Sequence, residues 1–399
     1  MADPADLRAR LVGELEELPG PWRQAFADVP RHAFIPALVW RQRRDVDGND
    51  MYPLHRDEEP GEWLEVAYAN RAVDTQVDDG NPAEDGTGHE VTSSASQPSV
   101  VADMLIGLQA EPGMTVLEVG TGTGYNAALL AHRLGQDNVV TVEIDPQVAD
   151  HARDALAATG FGKVTVITGD GAQGYPANAP YDRVLVTAAV TTIPYAWISQ
   201  TVPGGRVVVP MAGTYQPPGI LTLDVGHDGT ASGRFGGAAA FMALRAQRVP
   251  RPRGRPIDTD TAAVSTTDVH PYRVAGDRDA ATAIGMRVCG IHKHYAPGSD
   301  STGTQWLLDP DTGSWAAIAL TPDPPYEVRQ GGTRRLWDEV EAAYRWWIDT
   351  GKPTVDAWRV TVTPAGQCNE VDIPAHLFDS PAQNDQPGVH RWVRSSTGT

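Results

Sequence analysis

The chain has 399 residues, a formal charge of −19, 41% apolar residues and 21% charged ones. At about 150 residues per domain, that length predicts two to three domains with room for a sizeable core. No run approaches the ~18 consecutive apolar residues of a membrane-spanning helix, and the start, MADPADLRARLVGELEELPG, lacks the apolar core of a secretion signal. Cys289 and Cys368 are the only cysteines, too few for a disulfide framework or a cysteine metal cage. The expected compartment is the cytoplasm. The acid excess argues against binding nucleic acid through its phosphates and leaves cationic ligands or basic peptide segments as partners.

Taken in chain order, residues 1–97 read as an irregular N-terminal segment with one amphipathic helix, Leu7–Leu18. Within it, residues 45–90 hold fourteen Asp or Glu against Arg56 and Arg71, so this stretch alone carries −12 of the total charge. It reads as a solvated insert, with a patch attracting a basic substrate segment as the sharper alternative. Residues 98–245 then alternate cleanly. The helix PSVVADMLIGLQ precedes the strand TVLEV, a glycine-rich turn and a helix over Tyr125–Leu134. The strand VVTVE, a helix from Pro146 to Thr159, and the strands KVTVI and RVLVT follow. Short apolar runs between helical patterns predict a parallel sheet covered on both faces. RVVVP, ILTLDV and AAAFMAL are expected to close it with an antiparallel edge.

Residues 246–256 read as a basic, proline-rich linker. Residues 257–399 read as a second, α+β domain. There QWLLD and SWAAIAL flank PDTG as a hairpin, and RRLWDEVEAAYRWWID puts Trp337, Val340, Tyr344 and Trp347 on one helical face. Seven of the eleven tryptophans lie after residue 300. Most are expected in the core, with one or two exposed for gripping a peptide. His292 and His294 alternate on a strand but lack a third metal ligand nearby, so no metal is expected. His89, in the acidic stretch, reads as solvated.

The most informative run is Val116-Leu-Glu-Val-Gly-Thr-Gly-Thr-Gly-Tyr125. A strand ends at Val119, and Gly120, Gly122 and Gly124, separated by Thr121 and Thr123, let the backbone turn sharply against a ligand. Dinucleotide sites use G-x-G-x-x-G with a pyrophosphate on the helix N-terminus. Here the spacing is G-x-G-x-G and Glu118 precedes it. A carboxylate there repels pyrophosphate and suits an ammonium or sulfonium, which favours S-adenosyl-L-methionine. Glu143, nineteen residues after Gly124, ends the next strand beside Ile144, where an acid accepts from ribose hydroxyls. Asp170 and Gly171 follow the third strand, placed for an adenine amino group. A single glycine turn is weak evidence, but three features at the ends of successive parallel strands are strong.

On these residues the chain resembles the protein-L-isoaspartate O-methyltransferases. Asp28-Val-Pro-Arg-His-Ala-Phe-Ile-Pro36, Ala67-Tyr-Ala-Asn-Arg71 and Ala95-Ser-Gln-Pro98 are similar to that family's N-terminal blocks. Gly169-Asp-Gly171, Ala179-Pro-Tyr-Asp182, Thr187-Ala-Ala189 with Ile193-Pro194, and Val202-Pro-Gly-Gly205 follow in the family's order. The resemblance spans residues 20–245. It implies a Rossmann-like α/β core with a seven-stranded methyltransferase sheet, and S-adenosyl-L-methionine as cofactor. It also implies that Glu118, the Gly120–Gly124 turn, Glu143 and Ile144 meet the methionine and ribose parts, and that Asp170 and Gly171 meet the adenine. Ser96, with Ser94, would face the acceptor carboxylate, and Thr92, Gln97, Ala188 and Ala189 would line the peptide site. An aspartyl carboxylate, with a pKa of about 4, is already ionised at neutral pH, so this chemistry needs no general base.

Two insertions, at about 37–66 and 74–91, and the domain from about 257 depart from a family whose ordinary members amount to little more than the methyltransferase core. The longer architecture resembles actinobacterial homologues that accompany ribosomally made, modified peptides of lanthipeptide or graspetide type. That resemblance implies esterification of one aspartate in a precursor peptide, leading to aspartimide or isoaspartate. General isoaspartyl repair, a small-molecule methyltransferase and a non-catalytic peptide-binding module are the alternatives.

Overall fold

The computed structural model describes residues 3–42, 50–248, 262–298, 303–372 and 389–394. They fall into two compact units. One is built on Met1–Pro210, Thr222–Ala231 and Phe241–Gln247, the other on Met211–Leu221, Ser232–Ala240 and Arg248–Thr399.

The first unit opens with helices α1 (Pro4–Glu14) and α2 (Gly20–Asp28). Asp3 caps α1 by accepting from the Ala5 N–H. The helix ends short of the expected Leu18 because Arg23 takes the carbonyls of Val12, Leu15 and Glu16, satisfying the last turn from outside. Next come β1 (Leu38–Gln42), β2 (Met51–His55), α3 (Pro60–Tyr68), β3 (Val73–Val77) and β4 (Val91–Ala95). The four strands form a sheet in the order β2-β1-β3-β4, antiparallel throughout. This corrects the reading of residues 1–97 as irregular. The strands are five residues each, too short for a clear alternation, and Asp74 is the only acid on any of them; the other described acids sit in the helices and loops between.

α4 (Pro98–Leu108) leads into the alternating core: β5 (Val116–Val119), α5 (Tyr125–Leu134), β6 (Val139–Glu143), α6 (Pro146–Ala158), β7 (Thr165–Thr168), β8 (Tyr181–Val186), α7 (Tyr195–Ser199) and β9 (Thr201–Met211). β5 lies between β6 and β8, with β7 beyond β6 and β9 beyond β8, and every pair is parallel. All four residues of β5 are buried, and Val116, Leu117 and Val119 are apolar, so it shows no in–out alternation despite Glu118. With β10 (Gly219–Val225) and β11 (Ala231–Phe235), seven strands of what is a ten-stranded sheet follow in the order β7-β6-β5-β8-β9-β10-β11. This is the Rossmann-like α/β fold the sequence predicts.

One strand was misplaced. AAAFMAL is not a strand; the seventh is Ala231–Phe235. Gly236 and Gly237 end that strand, and the alanine run continues only to an isolated bridge between Ala243 and Ala189.

The second unit contains β12 (Ala263–Thr267), α8 (Pro271–Ala275), α9 (Arg278–Arg287), β13 (His292–Pro297), β14 (Gly303–Asp309), β15 (Ser314–Leu320), β16 (Tyr326–Gly331), α10 (Leu336–Asp349), β17 (Trp358–Thr363), β18 (Gly366–Asp372) and β19 (Val389–Arg394). A five-stranded antiparallel sheet runs β12-β16-β15-β14-β13, with the expected hairpin joining β14 to β15. Trp337, Val340, Tyr344 and Trp347 form the buried face of α10. Among the residues whose side chains are described, the exposed aromatics here are Tyr272 and Tyr295, not tryptophans. Among the described residues, no helix is long and apolar enough to cross a membrane. Most of the linker read at 246–256 lies outside the described residues. Gln247 belongs to the first unit, its side-chain oxygen accepting from the N–H groups of Thr191 and Thr192.

Candidate active site

The carboxyl ends of β5, β6, β7 and β8 deliver the site residues to one edge of the sheet, where ligands of parallel sheets bind. At Gly120 the backbone takes φ +94°, and a Cβ there would stand 2.6 Å from the Thr187 hydroxyl. That hydroxyl donates to the Gly120 and Val119 carbonyls, so it cannot swing aside. Gly122 donates its N–H to Glu143 at 3.0 Å, and Asp145 donates to the other oxygen at 3.1 Å. A carboxylate accepts about four hydrogen bonds, so Glu143 keeps capacity for two ligand hydroxyls. Burial pushes its pKa up. Ile144 beside it is 38% exposed, an apolar surface of the kind a flat heterocycle covers.

Asp170 uses one oxygen to accept from the Ala172 N–H, leaving the second for an amino group. Gly171 is needed for space: a Cβ would lie 2.5 Å from Val119, and its carbonyl receives the Trp197 indole N–H. Glycine cradle, ribose-type acid, apolar ledge and amino-accepting acid together fit an adenosyl group bearing a positive charge.

Other expected residues stand elsewhere. Glu118 is fully buried, its oxygens accepting from Asn126 at 2.6 Å and Thr141 at 2.5 Å, and burial pushes it up to about 7. It braces α5 against β6 beneath the turn; the acid at the edge is Glu143. Thr121 and Thr123 are likewise buried. The Thr121 hydroxyl pairs with Thr141, and that of Thr123 accepts from the Tyr125 N–H, so only their backbones reach the turn. Gly124 begins α5 with a left-handed φ of +84°.

On the acceptor side, β4 runs against the glycine turn: a Cβ on Gly122 would meet the Ser94 carbonyl at 3.4 Å. Ser94 and Ser96 are half-buried, and no side-chain hydrogen bond occupies their hydroxyls among the described residues. Thr92 is spent: it donates to Gln76 at 2.8 Å and accepts from the Asp79 N–H. Gln97 turns back to donate to the Ser99 hydroxyl. Ala189 has both backbone groups committed, to Met242 and Leu244, so Ala188 alone of that pair is left to meet a peptide backbone.

The sequence reading missed a polar strap at this edge. Gln76 donates to Asp145, the cap of α6, and Arg245 pairs with Asp79 at 2.9 Å and Asp145 at 3.6 Å. The Asp-Pro at the start of α6 was a visible capping signal; the partners, far apart in the chain, were not. His89 is exposed and pairs with Asp50. Among the described residues no three His, Cys, Asp or Glu gather as a metal site.

The family model described as protein-L-isoaspartate (D-aspartate) O-methyltransferase matches residues 63–245. A protein-L-isoaspartate O-methyltransferase of Methanopyrus kandleri is 35% identical over 244 residues, covering 59% of this chain and 90% of its own. The chain belongs to the protein-L-isoaspartate O-methyltransferase family. A second relative, protein-L-isoaspartate O-methyltransferase 2 of a Polaromonas species, is 36% identical over 220 residues, 55% of this chain and 85% of that one. A solved protein-L-isoaspartate O-methyltransferase shares the fold at a TM-score of 0.51 and 19% identity, covering 90% of this chain and 98% of that one.

Proposed function

We propose that this chain is an S-adenosylmethionine-dependent O-methyltransferase that esterifies an aspartyl or isoaspartyl carboxylate of a peptide. The observation that carries the reading is the joining of the two halves: β4, the strand just before Ser96, lies against the glycine turn whose N–H holds Glu143. Bound at that edge, S-adenosylmethionine supplies an electrophilic methyl group on a sulfonium. Glu143 would accept from the ribose hydroxyls, Asp170 from the adenine amino group, and Ile144 would cover the ring. Ser96, with Ser94, donates to the acceptor carboxylate and fixes one oxygen in line. Holding two reactants in line is worth up to about 7–11 kcal/mol, and it is what this chemistry needs most. The following peptide nitrogen then attacks the ester carbonyl, methanol leaves and a succinimide closes; water reopens it to aspartate or isoaspartate.

The printed names of the relatives speak for isoaspartyl acceptors in general, the repair reading. A narrower substrate, a dedicated ribosomally made precursor peptide, is favoured by what the insertions build. They fold into a cleft of about 1140 Å³ whose walls include Trp40, Arg41, Tyr52, Glu62, Arg71 and Asp74. Asp74 lies directly across from Ser94 on the neighbouring strand, so the two share a face. Burial pushes Asp74 up to about 6. A cleft that ends at Asp74, the strand neighbour of Ser94, is placed to read the residues beside one particular aspartate. The second unit and the acidic insert are further docking candidates, and a cytoplasmic location belongs to the same reading.

Mass spectrometry after incubation with S-adenosylmethionine and two peptides tests it, one an isoaspartyl standard and the other a short peptide encoded beside the gene. Methylation followed by net loss of water on the second alone supports the dedicated substrate. Methylation of the first alone returns the chain to general repair. Binding of S-adenosylhomocysteine with transfer to neither peptide leaves a binding module.

A further inference from the structure

We propose that Arg31 is the positioning residue of the acceptor segment: its guanidinium, working through the turn that carries Asn70, sets where Ser96 stands relative to the glycine turn. The inference rests on the reading of Ser96 as the hydroxyl that orients the acceptor carboxylate.

Arg31 sits on a single 3-10 turn, Arg31–Ala33, and is 0% exposed. No carboxylate pairs with it among the described residues. Desolvation lowers its pKa to about 10, so it remains a cation at neutral pH. A buried charge without a counter-ion is costly unless hydrogen bonds replace its water. Here five backbone carbonyls do so. Nη1 donates to Ala67 at 2.6 Å and Ala69 at 3.1 Å; Nη2 donates to Arg71 at 3.2 Å, Ala95 at 3.3 Å and Ser96 at 3.1 Å.

These carbonyls come from two places. Ala67, Ala69 and Arg71 close α3 and its following turn, where a helix presents its negative end. Ala95 ends β4, and Ser96, the acceptor serine, follows it. The turn after α3 then holds the segment again from its far side, since the Asn70 side-chain oxygen accepts from the Ser99 N–H at 3.0 Å. Asn70 thereby does for α4 what its own N-cap, Gln97, does not. Ala95–Ser99 is pinned at both ends, and both pins lead back to Arg31.

The choice of arginine follows from geometry. A planar fork reaches carbonyls on two sides at once, whereas an ammonium offers three donors from one point. Nε is left without a partner. Burying a cation with one donor unpaired is a poor way to gain stability, because a well-packed apolar side chain of that volume would do as well or better. It is a good way to fix two backbone segments against each other. A misplacement of about 1 Å at a reacting group costs on the order of a hundredfold in rate, so a device that fixes Ser96 acts on transfer rather than on cofactor binding.

The test uses the full chain with Arg31→Lys, Asn70→Ala and Asn70→Asp. Amide hydrogen exchange, affinity for S-adenosylhomocysteine, and kcat and KM for an accepted peptide are measured. In R31K the hydrogen-bonded amides of Ser99 and Val101 are expected to exchange at least about tenfold faster while those of the glycine turn stay protected. Cofactor-product affinity should hold within about twofold as kcat falls by about tenfold or more. N70A should show the same signature more weakly. N70D should restore it, because a carboxylate oxygen still accepts from Ser99; these two variants carry the test if R31K does not fold. Uniform deprotection of the first unit, loss of affinity in step with kcat, or N70D no better than N70A would overturn the proposal. Transfer to no peptide by the wild type would remove the acceptor reading alone, and the exchange pattern would still decide whether Arg31 holds the segment.

Discussion

The cofactor edge and the acceptor segment are built by opposite means. The edge is assembled from short consecutive runs, each a strand end and the residues after it, and the repeating logic of a parallel sheet brings them together. The acceptor segment is held by side chains reaching across the chain, from Arg31, Asn70, Gln76 and Thr92. A local run survives as a motif in any sequence that keeps its spacing. A long-range clamp leaves no spacing to read. The two regions should therefore fail differently when altered.

The largest effect belongs to the edge. Gly120→Ala puts a Cβ at a left-handed φ and 2.6 Å from a hydroxyl already committed to two carbonyls. Left-handed backbone alone costs an alanine about 1–2 kcal/mol, and affinity for S-adenosylhomocysteine by titration calorimetry should fall at least about a hundredfold once the clash is added. Glu143→Ala comes next. It removes the acceptor of two backbone N–H groups and, on this account, of the ribose hydroxyls. Hydrogen bonds to a charged group are worth about 1.5–3 kcal/mol each, so a loss of about 10–100-fold is expected. Ser96→Ala should break the comparison in the other direction, lowering kcat/KM about tenfold with affinity for S-adenosylhomocysteine unchanged. Equal loss of both would make Ser96 a structural residue.

Glu118 sharpens the contrast through pH. Its folded pKa is about 7 against a reference of 4.5. An acid whose pKa is raised on folding opposes folding as pH climbs from its unfolded value to its folded one, and adds nothing further above that. Wild-type stability should thus decline between about pH 4.5 and 7, by at most about 3 kcal/mol from this group. Glu118→Gln keeps an acceptor for Asn126 and should flatten that slope in urea titrations; an unchanged slope would place the titration elsewhere. The smallest effect is at the strap. Arg245 and Asp79 are partly exposed, and Arg245→Met should cost about 0.2–1 kcal/mol, less at high salt.

The same contrast explains what could be read from the sequence. β5, β6 and β8 were legible because residues buried on both faces leave short, mostly apolar runs, and Gly120, Glu143 and Asp170 because they stand at or just past the ends of strands. Glu118 was misjudged because a strand's last residues point alternately in and out, and the glycine turn does not reveal which faces the ligand. The N-terminal sheet was missed because its strands are short and the segments between them are rich in acids, which looks like a solvated insert. Arg31 lay in plain view within Asp28–Pro36, but nothing in that run says that its partners are carbonyls at 67–71 and 95–96. The alanine run before Leu244 has the hydrophobicity of a strand without a partner to pair along: Gly236 and Gly237 make the last bonds to Ile220, and beyond them the run makes only the bridge from Ala243 to Ala189.

The most direct test of the account follows the methyl group itself. S-adenosylmethionine labelled in its S-methyl carbon is incubated with the chain and an isoaspartyl or precursor peptide, and the peptide is then treated with mild base. The account predicts label on the peptide that is released as methanol, the mark of a carboxyl ester. No label transferred, or label that survives base, would contradict it.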